Sequence, residues 1–221
     1  SLEFFKSNLD QIFETGSLAE GPWGERLSEF TQSYCGVKCA ISTASNGSGL
    51  MALLHLYKEY RNRTAVLIQS NTMYGVKTLV NAAGMNLSGF IDCNPLTLMP
   101  GVSDVEKAVE DCSDKSTLIV LLSHIGGVIN PEMDAIARFC KQSGVTLIED
   151  CAHSFGATLG GKHSGTFGDA GAYSFYATKA VPAGEGGIVV TNDEEIGNAL
   201  VEYVKYDRFN QLMNIGVNIR G

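Results

Sequence analysis

Four short apolar segments separated by amphipathic stretches constrain this chain more than any other feature. Ala65–Gln69, Leu87–Asp92, Thr117–Leu122 and Val145–Glu149 read as strands. Between them lie helical patterns over 74–83, 103–111 and 132–142, the last with Met133, Ile136, Ala137 and Cys140 on one face. Ser103 is placed to cap the middle helix, with Glu106 at capping-box distance. Thr117–Leu122 is almost wholly apolar, as expected of a strand covered on both faces. Strands joined through helices cross over right-handed and pair in parallel. The expected class is therefore α/β, a three-layer α/β/α large domain with a mainly parallel sheet and helices on both faces. Ligands of such sheets bind at the carboxyl ends of the strands. That rule points to Asn46–Ser48, Asn71–Tyr74, Ser123–His124 and Asp150–His153.

The flanks fit the same frame. Leu2, Phe5, Leu9, Ile12 and Phe13 have helical spacing, and after a break over 16–22 so do Leu27, Phe30 and Tyr34. Cys39–Ala44 reads as a strand, Ser45–Gly49 as a polar glycine turn and Leu50–Tyr60 as a helix. Such a turn exposes backbone N–H groups at a helix start, an anion site, although Asn-Gly-Ser alone is equally a plain turn. After His153 short strands are expected over 156–161, 165–169, Ala172–Phe175 and Gly187–Thr191. A last helix then runs from Asp193 to about Tyr206, capped by Asn192 or Asp193. No linker or repeat interrupts the chain, so one domain is expected over 1–221, with a helical N-terminal segment over about 1–35.

Composition removes several functions. A net charge of -8 and a pI near 5.0 argue against nucleic acid or an anionic membrane as partner. No apolar run approaches the roughly 18 residues of a membrane span, and Ser1-Leu2-Glu3 opens no signal peptide. Six scattered cysteines without a CxxC fit reduced, buried thiols and a cytoplasmic setting. Four histidines without HExxH or paired spacing give no reason to expect a metal. GxGxxG and GxxxxGK[ST] are both absent, which disfavours a dinucleotide fold and a P-loop.

What remains is a lysine chemistry. Lys179 sits in Ala177-Thr178-Lys179-Ala180-Val181 with no acid within five residues. It reads as a solvated loop lysine or, desolvated, as an amine nucleophile toward a carbonyl. Asp150, at a strand end, is either a helix cap or the partner of a protonated ring nitrogen. His153 is a structural histidine or a hydrogen-bond donor to a ligand oxygen. Gly47, Ser48 and Ser174 can cradle a phosphate.

Several motifs make these residues a pattern: Asn46-Gly47-Ser48-Gly49-Leu50, Asp92 with Thr97, His124-Ile125-Gly126, Met133-Asp134-Ala135-Ile136, IEDCAHSFGA (148–157), GTFGDAGAYSF (165–175), Lys179 and GEGGIVVTND (184–193). Over about 21–220 the chain resembles the DegT/DnrJ/EryC1/StrS family of pyridoxal-phosphate (PLP) sugar aminotransferases, of the aspartate-aminotransferase-like fold type I. The resemblance implies that Lys179 carries the cofactor as a Schiff base and moves a proton, while Asp150 pairs with the pyridine nitrogen. It implies that His153 contacts the cofactor's phenolic oxygen, and that Gly47, Ser48 and Ser174 hold its phosphate. Asn218 then reaches the phosphate of a second subunit in a homodimer. The amine would come from an amino acid, usually glutamate, and go to a nucleotide-linked keto sugar.

Three features depart from the family. Its ring-stacking aromatic corresponds to the run Ser70–Tyr74, where Met73 takes the expected place beside Tyr74. Its usual Gly-Asp-Glu-Val is here Asn62-Arg63-Thr64-Ala65. Members also continue beyond the position of Arg220 into a C-terminal small domain. A PLP-binding or dimerising domain without turnover is therefore the alternative. A PLP-dependent sugar dehydratase ranks lower, because known dehydratases of this type carry histidine where Lys179 stands.

Overall fold

The computed structural model describes residues 2–16, 21–206, 216, 217 and 219. Two helices lead, α1 (Leu2–Thr15) and α2 (Pro22–Cys35), the latter with proline in its first turn and left-handed Gly36 at its end. Strand β1 (Cys39–Thr43), helix α3 (Asn46–Arg61), strand β2 (Ala65–Gln69), helix α4 (Tyr74–Ala82), strand β3 (Asn86–Ile91) and helix α5 (Val102–Glu110) follow. Strand β4 (Leu118–Ser123), helix α6 (Met133–Gln142) and strand β5 (Thr146–Cys151) complete the alternation. The chain then makes a small hairpin, β6 (Thr158–Leu159) and β7 (Lys162–His163), two strands β8 (Ala170–Ser174) and β9 (Gly187–Thr191), and helix α7 (Glu194–Tyr203).

Seven strands form one sheet in the order β1-β9-β8-β5-β4-β2-β3. The pairs β2/β3, β2/β4, β4/β5 and β5/β8 are parallel, and β9 alone runs against its neighbours β1 and β8. Side chains of a strand alternate between faces, and here both faces are covered. In β4, Ile119 and Leu121 join Leu50, Leu53, Val80 and Leu200 in a layer built from α3, α4 and α7. Leu118, Val120 and Leu122 join Val105, Val109, Met133 and Ile136 from α5 and α6 on the other face.

Three local expectations change. The glycine turn before α3 is the first turn of that helix: Ser45 is its N-cap, in a reciprocal capping box with Ser48. Helix α5 is capped at Gly101 rather than Ser103, because the Asp104 carboxylate accepts from Gly101 N at 2.8 Å. Residues 165–169 form a loop instead of a strand. Their N–H groups turn inward, and those of Gly165, Phe167 and Gly168 donate to the buried carboxylate of Glu149.

Candidate active site

The carboxyl ends of β2, β4, β5 and β8, with the start of α3, enclose a cavity of about 320 Å³. Gly47, Met73, Asp150, His153, Ser174 and Lys179 all line it, as do Asn46, Ser123, Tyr176 and Glu185. Sheet register explains the convergence: Ser123 of β4 pairs with Asp150 of β5, and Asp150 with Ala172 of β8, in one row. Three adjacent parallel strands thus deliver polar groups to one edge.

Asp150 is only 7% exposed, and its carboxylate is engaged from two sides. Oδ1 accepts from Asn46 Nδ2 and from Ala152 N, both at 3.1 Å, while Oδ2 accepts from Ser123 Oγ at 3.2 Å. A carboxylate offers about four acceptor positions, so one on Oδ2 stays available to a donor arriving from the cavity. Lys179 is half-buried on the turn after β8, held there by its own N–H donating to Tyr176 O at 2.9 Å. Among the described residues no ion pair or side-chain hydrogen bond engages its ammonium. Ser174 Oγ accepts from Tyr176 N at 3.3 Å, which leaves its own proton free to donate. His153 Nδ1 accepts from Gly126 N at 3.3 Å, so the neutral ring carries its proton on Nε2.

Glycines shape the phosphate side. Asn46 and Gly47 occupy the first two helical positions of α3, where N–H groups have no intrahelical acceptor. A Cβ on Gly47 would meet only Leu79 Cδ1 at 3.7 Å and Ser45 Oγ at 3.9 Å. Protein packing therefore does not require glycine there, and its bareness leaves the backbone open to the cavity. Gly187 is different: a Cβ would fall 2.4 Å from Ser45 C and 2.6 Å from Asn46 N. The run Gly184-Glu185-Gly186-Gly187 lets β9 press against the start of α3, with Gly184 and Gly186 at φ +95 and +147.

The donor set fits PLP: an available acceptor for a ring N–H, an amine without an ion-pair partner among the described residues, an imidazole N–H donor, a hydroxyl donor and open helix-start amides.

Two expected residues stand elsewhere. The Ser48 N–H and hydroxyl are spent on the α3 cap, toward Ser45 Oγ at 3.1 Å and Ser45 O at 2.9 Å, and Ser48 does not line the cavity. Tyr74 is 77% exposed with its ring toward Lys77, because it opens α4 pointing outward; Met73, the residue before it, lines the cavity. Asn218 lies outside the described residues.

Asn46 was placed at the right strand end without a role, yet its amide reaches both Asp150 and, at 2.7 Å, Ala172 O. Sequence distance hides this contact, since 104 residues separate Asn46 from Asp150.

Beneath the site Glu149 is fully buried. Its oxygens accept from Phe167 N and Gly168 N at 2.7 Å, and from Gly165 N and His124 Nε2 at 2.8 Å. His124, Glu149 and Cys151 stand close enough to suggest a metal centre. All acceptor positions of Glu149 are taken, however, and burial pushes the Cys151 thiol well above its usual range. A cation would have to displace the structure's own bonds.

The fold is that of the PLP-dependent aminotransferases. The solved structure of DesI in the presence of its TDP-sugar product superposes with a TM-score of 0.87 at 26% identity, over 100% of this chain and 55% of that one. The NtdA protein of Bacillus subtilis with bound cofactor PMP superposes at 0.83 with 22% identity, over 100% of this chain and 49% of that one. The model of the DegT/DnrJ/EryC1/StrS aminotransferase family matches residues 2–219, and the chain belongs to that family. GDP-perosamine synthase of Escherichia coli O157:H7 is 31% identical over 156 residues, 70% of this chain and 41% of that protein. The chain spans about half the length of the curated relatives it matches. Among the described residues no helix is long and apolar enough to cross a membrane.

Proposed function

We propose that the protein of which this chain forms a part is a PLP-dependent aminotransferase, moving an amino group from an amino acid, glutamate by family resemblance, to a nucleotide-linked keto sugar. The observation that carries this reading is the pairing of Asp150, with one available acceptor position, and the unpaired Lys179 amine in one cavity. Family membership and the naming of relatives as sugar aminotransferases support it. A cytoplasmic homodimer is part of the same proposal.

When bound, PLP supplies a pyridinium ring that withdraws electrons from the reacting carbon of the substrate. Lys179 would hold it through its side-chain amine, and that amine, when free, could take up and return a proton at the reacting carbon. Asp150 would accept from the ring N–H at its available position. His153 would donate from Nε2 to its phenolic oxygen, while Ser174 and the Asn46 and Gly47 amides would bind its phosphate at a positive helix start. Met73, which lines the cavity, would offer the ring a polarizable thioether in the place of an aromatic.

Purified chain titrated with PLP is expected to develop a visible absorption band that Lys179→Ala abolishes. A chain that takes up no PLP overturns the reading. Added glutamate should convert the cofactor to its amine form; failure there, with PLP still bound, leaves a binding domain without turnover.

A further inference from the structure

The hydrogen bonds around Asp150 form a chain whose direction can be worked out. Ser123 has one hydroxyl proton and directs it at Asp150 Oδ2, 3.2 Å away. Its contact with Thr72 Oγ1, at 2.7 Å, must then be a bond that Thr72 donates. The order is Thr72 to Ser123 to Asp150. Gln69 braces the same point, its Oε1 accepting from Ser123 N at 3.4 Å and its Nε2 donating to Asn71 at 2.6 Å. On the opposite oxygen, Asn46 spends both amide protons, one on Asp150 Oδ1 and one on Ala172 O. Among the described residues no cation pairs with Asp150.

We infer that Asn46 and Ser123, with Thr72 behind Ser123, are positioning residues that fix the orientation of the Asp150 carboxyl group and aim its last acceptor position at a ring N–H in the cavity. The inference rests on the reading of the cavity as a PLP site. Thr72 precedes Met73, so one hydroxyl pair also ties the loop that covers the ring to the acid beneath it. Asn46 begins the helix whose amides face the phosphate side, so a single side chain fixes the spacing between that cradle and the acid. With a donor removed, the carboxyl group is free to rotate away, and its remaining acceptor position no longer faces a ring N–H.

The test compares two ligands on the whole chain: PLP and its carbocyclic analogue, which has carbon in place of the ring nitrogen. Dissociation constants for both are measured by absorbance or fluorescence titration on wild type, Asn46→Ala, Ser123→Ala and Ser123→Thr. The expected result is a roughly tenfold loss of the preference for PLP over the analogue in each alanine variant, the scale of one hydrogen bond to a charged group. Ser123→Thr, which keeps the hydroxyl, restores it. Far-ultraviolet circular dichroism identifies any variant that fails to fold, and Ser123→Ala then carries the test because it adds no volume.

If both ligands weaken equally the residues are scaffolding only, and an unchanged or increased preference equally overturns the inference. A wild type that binds neither ligand instead defeats the PLP reading itself.

Discussion

Glu149 and Asp150 are adjacent acids with opposite surroundings, and the contrast decides what each can do. Glu149 is saturated by three backbone N–H groups and His124, whereas Asp150 keeps an acceptor position at the cavity. Side chains alternate along β5, so one acid faces the 165–168 loop and the other faces the cavity. Glu149→Gln swaps one saturated oxygen for an NH2 group that points at donors. It is expected to cost about 1–3 kcal/mol, the range for leaving a buried donor without its acceptor, measured by urea denaturation. A loss below 1 kcal/mol would show that the loop holds without its carboxylate. The IED motif was legible in the sequence, but its division into one structural and one cavity acid was not, because the donors to Glu149 lie 16 to 19 residues downstream.

At the scale of elements, the first turn of α3 is held between β9 and the cavity, and two glycines on that helix and strand have separable roles. Gly187→Ala drives a methyl into the backbone of Ser45 and Asn46. A loss of about 1–3 kcal/mol is expected, as for other overpacked sites, with weaker PLP uptake because the α3 amides shift. Gly47→Ala meets no such obstacle. Its stability should stay within about 0.5 kcal/mol of wild type while PLP affinity falls about tenfold, since the methyl enters the cavity. Equal stability losses in both would remove the distinction. Ser45, Asn46, Gly47 and Ser48 were readable as a phosphate turn. Their being helical, with Ser48 turned to the cap, depends on the Ser45–Ser48 capping box.

For the whole molecule, one sheet divides two apolar layers and belongs to both. Leu53 of α3 lies in one layer and Ile136 of α6 in the other, each fully buried. Leu53→Ala and Ile136→Ala should each lower stability by about 2–5 kcal/mol within a single shared unfolding transition, followed by circular dichroism in urea. Transitions that separate would mean the layers fold independently.

The local pattern of the chain determined the elements: apolar runs such as Leu118–Ser123 make strands in any context that covers both faces, and helical spacing made the helices between them. Motif spacing likewise singled out Lys179, Asp150, His153 and Ser174. Tertiary structure alone decided that Asn46 and Ser123 meet the Asp150 carboxylate, that Met73 rather than Tyr74 lines the cavity, and that β9 runs against its neighbours. The reason is physical: periodicity records which face a residue buries, whereas hydrogen bonds between strand ends depend on sheet order and register, which side chains far apart in sequence settle together.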